Sequence, residues 1–354
     1  MKQTYDLTAT YRDNYDHGPS LDVSCEIPET PLKEFLGRPV RSRFGIAAGL
    51  LLNSKWLLGY AQQGFDLLTY KTVRSKVREC YPPPNWVFVD ADESDGPVYV
   101  TDDLSKGSDA ISSAVCFGMP SMAPEVWRED VARCKAGVGE GQMLIVSVVA
   151  SPEPDWSVAQ VADDYAQCAA WAVEAGADVI EANFSCPNVC SAEGQVYLDA
   201  ALSGDVSATI RTGIGETPLL LKVATFPDEE SMSRFLRAVS KPADGVTLVN
   251  GIARPVLHPD GRPAFGEDYV KAGVLGRIIH EPSVASVRQA RAIVDTEDLG
   301  LAIAAVGGVS RMEDLADFYE AGADAIMLGS APMYLPGEQK IHQSHAYQCN
   351  AILK

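Results

Sequence analysis

The chain has 354 residues, of which 46% are hydrophobic and 22% are charged, and its formal net charge is −19. This length suits one barrel domain with insertions, and the composition is that of a soluble globular protein. The acidic balance disfavours nucleic acid and anionic membrane surfaces as partners, and no apolar stretch is long enough to predict a membrane span.

The eight cysteines are scattered along the chain, and no two of them form a C-x-x-C pair. Zinc ribbons and cysteine-rich iron–sulfur runs therefore have no support, and we expect no metal site. The N-terminal residues are polar and lack the apolar core of a signal peptide. We expect free thiols and a cytoplasmic protein.

Residues 1–43 predict an irregular surface extension, with an apolar alternation from Leu21 to Ile27 and a hairpin that closes the bottom of the following domain. Eight short apolar runs come next, each typical of a strand buried on both faces. They lie at 44–49, 65–71, 143–150, 177–185, 218–224, 244–250, 301–308 and 324–330.

Helical patterns separate most of these runs. Residues 161–176 predict a helix that stops at Gly176, and residues 310–322 predict one that begins at Ser310 with Glu313 in a capping box. The alternation predicts an α/β protein with a (β/α)₈ barrel, with an open doubly wound sheet as the alternative. Long insertions at 72–142 and 251–280 follow strands two and six. We expect one domain over 1–354, with the barrel at 44–331 and a C-terminal helix or tail at 332–354.

Paired small residues follow the last two predicted strands. Gly307 and Gly308 come after strand seven, and Gly329 and Ser330 come after strand eight. Glycines let backbone N–H groups approach a phosphate, and these two loops are the usual phosphate cradle of a barrel. Ordinary tight turns would also use glycines, so the pattern favours a phosphate site without requiring one.

Polar and ionisable residues gather directly after strand four. The segment ANFSCPNVC contains Asn183, Ser185, Cys186 and Asn188 at what should be the mouth of the barrel. A thiol can move a proton, and two amides can hold a planar ring by its C=O and N–H groups. The alternative is a small buried cysteine beside a turn.

Two lysines stand within or at the end of apolar strands. Lys71 ends strand two, and Lys222 lies in strand five. A buried lysine is costly unless it meets a negative charge or a dipole. Three roles fit Lys222: steadying an anionic reduced flavin, pairing with a carboxylate, or forming a Schiff base. Reaching solvent with its amine is the structural alternative.

Together these segments resemble the dihydroorotate dehydrogenase family and the pyrimidine-binding part of dihydropyrimidine dehydrogenases. The resemblance covers roughly 44–331, and its most specific element is NFSCPN at 183–188. Supporting matches are AAG at 47–49, the strand-two lysine followed by Thr72, LLLKVA at 219–224, GVTLVNG at 245–251, AGVLG at 272–276 and the glycines after strands seven and eight.

The resemblance implies bound FMN, a homodimer and a small cyclic amide substrate. Cys186 would be the acid/base while hydride passes between a carbon of the substrate and the flavin N5, and Lys222 would lie near the flavin N1–C2 edge. The cofactor residues would be Ala48, Gly49, Lys71, Thr72, Ser147, Asn183, Lys222, Asn250, Gly276, Gly307, Gly308, Gly329 and Ser330. The substrate residues would be Lys71, Asn183, Asn188, Asn250, Gly118 and Ser121.

The sequence departs from the family at the substrate end. In VCFGMPS (115–121), Val115 and Ser121 replace two asparagines of the family pattern, and YPPPNW (81–86) replaces its N-P-x-P-R. Each lost amide partner would leave a ring group unpaired, so we expect dihydroorotate itself to be held weakly. The sequence predicts an FMN oxidoreductase of the soluble, cysteine-base type. The alternatives are a Lys222 Schiff-base lyase acting on a phosphorylated substrate and a non-catalytic flavin-binding relative.

Overall fold

The computed structural model describes residues 4–21, 30–90, 96–105, 110–185 and 195–334. Its strands are β1 (Lys33–Phe35), β2 (Arg38–Val40), β3 (Phe44–Leu51), β4 (Leu67–Val73), β5 (Trp86–Asp90), β6 (Val98–Val100), β7 (Ser112–Val115), β8 (Met143–Val148), β9 (Val179–Asn183), β10 (Leu219–Val223), β11 (Gly245–Leu248), β12 (Ile252–Leu257), β13 (Lys271–Gly276), β14 (Ala302–Val306) and β15 (Ala325–Leu328). Its helices are α1 (Tyr11–His17), α2 (Ser54–Gln62), α3 (Pro124–Gly137), α4 (Val158–Glu174), α5 (Ala200–Ile214), α6 (Glu229–Val239), α7 (His280–Thr296), α8 (Met312–Glu320) and α9 (Ala331–Tyr334).

Eight parallel strands close into a barrel in the order β3, β4, β8, β9, β10, β11, β14 and β15. The last strand pairs with the first, where Ile326 registers with Phe44. Each barrel strand overlaps one of the eight apolar runs, so the predicted (β/α)₈ barrel is confirmed and the open sheet is wrong. Helices fill the connections between strands, as this fold requires.

Inward and outward side chains alternate along the barrel strands. In β9, Ile180 and Ala182 belong to the large core between the barrel and its helices, whereas Val179 belongs to a separate cluster inside the barrel. The hairpin of β1 and β2 adds Phe35 and Val40 to that inner cluster. A hairpin therefore closes the bottom of the barrel, as predicted, although it lies after residues 21–27, most of which fall outside the described part of the chain.

Helix boundaries differ from the predicted ones where capping chemistry differs. Helix α4 begins earlier than expected because Ser157 caps it and receives the N–H of Gln160. Helix α8 begins at Met312 and not at Ser310. The capping carboxylate is Asp314 and not Glu313, since Asp314 accepts the N–H groups of Ser310 and Arg311 at 2.8 Å each.

The two predicted insertions meet in space and form a second, smaller sheet. Strands β5, β6 and β7 come from the insertion after β4, and β12 and β13 come from the insertion after β11. They close on themselves in the order β12, β13, β7, β5 and β6. Segments far apart in sequence are thereby joined at one side of the barrel mouth.

The N-terminal extension is anchored to the barrel by a few buried residues. Tyr5 is 4% exposed and packs its ring against Trp56, Trp86 and Phe117. Its neighbour Thr4 hydrogen-bonds the carbonyl of Met333 at 2.9 Å. Thr4, Tyr5 and Asn14 are buried, while the other described residues of 4–21 are exposed or intermediate, so the segment is a surface extension that these residues anchor to the barrel. Among the described residues, no helix has both the length and the apolar character that crossing a membrane demands.

Candidate functional site

A cavity of about 1060 Å³, counting its open mouth, lies at the carboxyl ends of the barrel strands. This is the face where barrel proteins place their sites. It brings together twelve of the residues predicted from sequence: Ala48, Gly49, Lys71, Thr72, Asn183, Lys222, Asn250, Gly276, Gly307, Gly308, Gly329 and Ser330.

Three glycine-rich loops converge on one end of the cavity. Gly276 ends β13, while Gly307 and Gly308 follow β14. Their φ angles are 87°, 144° and 67°, a region that favours glycine. A Cβ on Gly308 would lie 2.7 Å from the carbonyl oxygen of Gly276, so the two loops need a glycine to approach this closely. With Gly329 and Ser330 after β15, these backbones form a cradle suited to a phosphate group.

Two other glycines face open space inside the cavity. A Cβ added to Gly49 or Gly329 would meet no atom within 4 Å, and both residues are exposed although they stand on or next to buried strands. A side chain at either position would occupy the cavity itself. The residues present therefore fit a ligand that combines a phosphate group with a flat body lying against backbone.

A buried histidine supports the cradle from behind. His280 is fully buried, and its ring nitrogens face the carbonyl of Gly307 at 3.3 Å and the carboxylate of Asp317 at 2.9 Å. Asp314 lies close by but is engaged by Arg277 at 2.6 Å and by backbone N–H groups. This cluster has the ligand types of a metal site, yet its polar atoms already have protein partners.

Both predicted lysines are buried beside the cavity. Lys71 is 8% exposed, donates to the carbonyl of Pro120 at 3.2 Å and lies 5.7 Å from the centre of the Tyr11 ring. Lys222 is 3% exposed and reaches across the barrel to the carbonyl of Ala48 at 3.5 Å. Two cationic groups in an otherwise acidic protein make this cavity a favourable place for an anion.

Two amide side chains meet at the other side of the cavity. The side-chain nitrogen of Asn250 lies 3.4 Å from the side-chain oxygen of Asn183 and also donates to the carbonyl of Ser185. The side-chain nitrogen of Asn183 faces the sulfur of Met119 at 3.6 Å. The oxygens of the two amides accept the N–H of Ser185 at 3.2 Å and of Gly251 at 3.0 Å, whereas the side-chain nitrogen of Asn183, held by the weak sulfur contact, can turn to a ligand.

Three predicted residues do not line the cavity. Ser147 is fully buried behind Thr72, with 3.0 Å between their hydroxyl oxygens. Ser121 accepts the N–H of Arg74 and donates to the carbonyl of Met122, so its hydroxyl is used within its own loop. Gly118 backs onto the ring of Tyr81, which a Cβ would approach to 2.6 Å. The structure thus brings none of these three to the cavity wall.

Cys186 and Asn188 lie outside the described residues. The four described cysteines are Cys80, Cys116, Cys134 and Cys168, and none of them lines the cavity. Burial raises the pKa of the Cys80 thiol to about 11 and raises that of Cys134 and Cys168 further. None of the three thiols is therefore suited to proton transfer at neutral pH.

One wall of the cavity is apolar, which the sequence alone did not predict. Trp86, Val115 and Phe117 come from the first insertion, and Leu275 comes from the second. The wall exists because β7 pairs with β13, a contact between distant segments. The unusual aromatic in YPPPNW and the valine in VCFGMPS were the available signals, but the sequence does not show that they face one cavity.

The fold and the cavity define a barrel protein with a glycine-lined cradle, two buried lysines and paired amides at the carboxyl ends of its strands. The dihydroorotate dehydrogenase family model matches residues 32–344. A dihydroorotate dehydrogenase from Dictyostelium discoideum is 30% identical over 95% of both chains. The catalytic subunit of a dihydroorotate dehydrogenase B (NAD(+)) from Staphylococcus carnosus is 25% identical over 44% of this chain and 48% of its own. A crystal structure of DHODH from Eimeria tenella in complex with ferulenol superposes with a TM-score of 0.69 at 15% identity, covering 89% of this chain and 82% of its own.

The chain belongs to the dihydroorotate dehydrogenase family. Members of this family are flavin oxidoreductases that act on a CH–CH bond, so the protein is an oxidoreductase of this type. The Schiff-base lyase alternative is set aside by this result.

Proposed function

We propose that the protein is an FMN-dependent oxidoreductase that acts on the CH–CH bond next to a carbonyl in a cyclic amide of the dihydroorotate type. The observation that carries the proposal is the convergence of the three glycine-rich loops, both lysines and both asparagines on one cavity. Bound FMN would supply the hydride acceptor or donor of the reaction.

The cradle would hold the phosphate of FMN through the backbones of Gly276, Gly307, Gly308, Gly329 and Ser330. Backbone N–H groups suit this task because they bind an anion without placing a bulky side chain in its way. A single cradle also favours FMN over FAD, since no G-x-G-x-x-G motif follows an early strand to hold a second phosphate.

We assign the acid/base role to Cys186. It follows β9 by three residues, and the same strand places Asn183 on the cavity wall. None of the described cysteines lines the cavity, and Cys116, which stands between the lining residues Val115 and Phe117, is itself buried. A lysine close to the thiol would stabilise its thiolate and so favour proton transfer at neutral pH.

The substrate end combines two amides with an apolar wall. Asn183 and Asn250 can pair with the C=O and N–H groups of a cyclic amide, whereas Val115 and Phe117 offer no hydrogen bond. A ring that is polar on one edge and apolar on the other fits this arrangement best. Dihydroorotate, which is polar around most of its ring, should be a weaker substrate than a less polar cyclic amide.

The test has two parts. The cofactor of the purified protein should be released by heat as FMN, and recovery of FAD or of no flavin would contradict the proposal. Anaerobic addition of dihydroorotate, dihydrouracil or dihydrothymine should then bleach the flavin absorbance. The protein could instead bind one FMN per chain that none of these cyclic amides reduces, and its reduced flavin could fail to pass electrons to the oxidised form of any of them. That result would favour the non-catalytic flavin-binding alternative.

We also propose that the protein works in the cytoplasm as a homodimer. The free thiols of the described cysteines fit a reducing compartment. Light scattering on the purified protein tests the dimer, and a monomer at micromolar concentration would contradict it.

A further inference from the structure

Glu181 is a buried carboxylate that the proposed chemistry does not use. It lies in β9 and is fully buried, and within the described part of the chain neither of its carboxylate oxygens has a hydrogen-bond partner. Its strand neighbours Ile180 and Ala182 pack outward against the helices, so Glu181 points into the barrel. A buried charge is costly without compensation, and its position therefore needs a physical reason.

Lys222 is the nearest inward-facing cation by strand register. Glu181 registers with Leu220 on the neighbouring strand, and Lys222 is the next inward position of that strand toward the mouth. The amine of Lys222 has three hydrogens to donate, yet its contact with Ala48 is at the 3.5 Å limit of a hydrogen bond. Both buried groups are thus poorly compensated by hydrogen bonds, and their charges are opposite.

Two hydroxyls complete a polar layer inside the barrel. Thr247 registers directly with Lys222 from the other side, and its hydroxyl also has no partner among the described residues. The hydroxyl of Thr69 reaches the sulfur of Met327 at 3.5 Å across the barrel. Thr69, Glu181, Thr247 and Met327 come from alternate strands, which is how one layer of a barrel core is built. This layer lies beneath Lys222, on the side away from the mouth.

We propose that Glu181 is the buried counter-charge of Lys222 and acts as a positioning residue for it. The low dielectric of the barrel interior lets the two charges attract each other strongly even without direct contact. Glu181 thereby directs the Lys222 amine at the floor of the cavity. The coupling of the two charges stands on the fold alone, while its effect on a flavin rests on the proposed function.

A double-mutant cycle on the full-length protein as purified tests the coupling. Glu181→Gln or Lys222→Met alone leaves one buried charge uncompensated, and each should lower the melting temperature by about 4–7 °C. The double variant E181Q/K222M should recover at least half of the summed loss. Additive losses would overturn the pairing. If K222M alone fails to fold, recovery of soluble protein in the double variant supports the pairing. A double variant that also fails to fold counts against it.

Lys71 provides the matched control. It is the other buried lysine of the cavity, but it stands two strands from Glu181 and has the carbonyl of Pro120 and the ring of Tyr11 as partners. The losses in the double variant E181Q/K71M should therefore add. Recovery in this variant as large as that in E181Q/K222M would show a general charge effect and would refute a specific pair.

The midpoint potential of the bound flavin tests the functional half. If Glu181 directs the Lys222 amine at the flavin, then E181Q should lower the potential in the same direction as K222M, because the positive charge near the flavin is displaced in E181Q and removed in K222M. If Glu181 were only a nearby negative charge, E181Q would raise the potential, and the positioning role would be refuted. Absence of flavin would sink the proposed function but would leave the melting-temperature cycle intact.

Discussion

Gly329→Ala should separate folding from flavin binding. The φ of Gly329 is not in the left-handed region, and an added Cβ would meet no atom within 4 Å. Alanine is therefore accommodated without strain and should raise the free energy of unfolding of the flavin-free protein by about 0.4–1 kcal/mol. The methyl group would nevertheless stand in the cavity where the phosphate has to approach the backbone.

The expected cost to binding follows from the hydrogen bond that is lost. A hydrogen bond to a charged group contributes about 1.5–3 kcal/mol. The Kd for FMN should therefore rise by about 10- to 150-fold. Gly308→Ala provides the contrast, because a Cβ there would collide with the carbonyl of Gly276 at a φ of 67° and should also reduce stability.

Titration of the flavin-free protein with FMN, followed by the quenching of flavin fluorescence, measures the change in Kd. Thermal unfolding of the same samples reports stability. Gly139→Ala is the matched control, since its Cβ would contact only Gln142 at 3.5 Å and the residue lies away from the cavity. A G329A variant that folds normally and binds FMN as tightly as the parent would refute the cradle after β15.

Two further predictions concern the cavity, and a third concerns a thiol outside it. Cys186→Ala should keep its FMN, but its rate of flavin reduction by substrate should fall by more than about 100-fold because the acid/base is missing. A Cys186→Ala variant that is reduced at the parent rate, together with a Cys190→Ala variant that is not, would contradict the assignment. Val115→Asn should raise kcat/KM for dihydroorotate by about 10-fold, because one more amide pairs with the ring. An unchanged kcat/KM would show that the apolar wall does not select the substrate. Burial raises the pKa of Cys80 from 9.0 to about 11. At pH 8 its thiolate fraction, and with it the rate of alkylation by iodoacetamide, should therefore be about 100-fold lower in the folded protein than in urea. Equal modification of Cys80 in both states, measured by peptide mass spectrometry, would contradict this effect of burial.

The barrel could be predicted because its signals are local. Each strand reads as a short apolar run, and the paired glycines Gly307 and Gly308 stand directly after one of them. The ends of parallel strands meet at one face, so strand order alone brings these glycines, Lys71 and Asn183 together. The start of α8 was missed because the competing acceptors, Glu313 and Asp314, are adjacent in sequence.

The apolar wall could not be predicted because it depends on pairing between two insertions. Val115 registers with Gly273 and Trp86 registers with Val115, so β13, β7 and β5 together place these side chains over the mouth. Nothing in the local pattern of either insertion specifies that partner. The same contacts determine which face of the second sheet lines the cavity. They therefore also determine how polar the substrate end of the cavity is.

The sequence shows that Glu181 is unusual for a buried strand, but it does not show which residue Glu181 interacts with. It stands in the apolar run ADVIEANFS, where a carboxylate is as unexpected as Lys222 is in LLLKVA. Pairing with a carboxylate was one of three roles open to Lys222, but the sequence offers 48 acidic residues as partners. The register between β9 and β10 selects Glu181, because it pairs with Leu220, the inward-facing residue that precedes Lys222 on β10. Two substitutions that would each be destabilising alone are then expected to compensate each other, and this compensation distinguishes a buried pair from two unrelated charges.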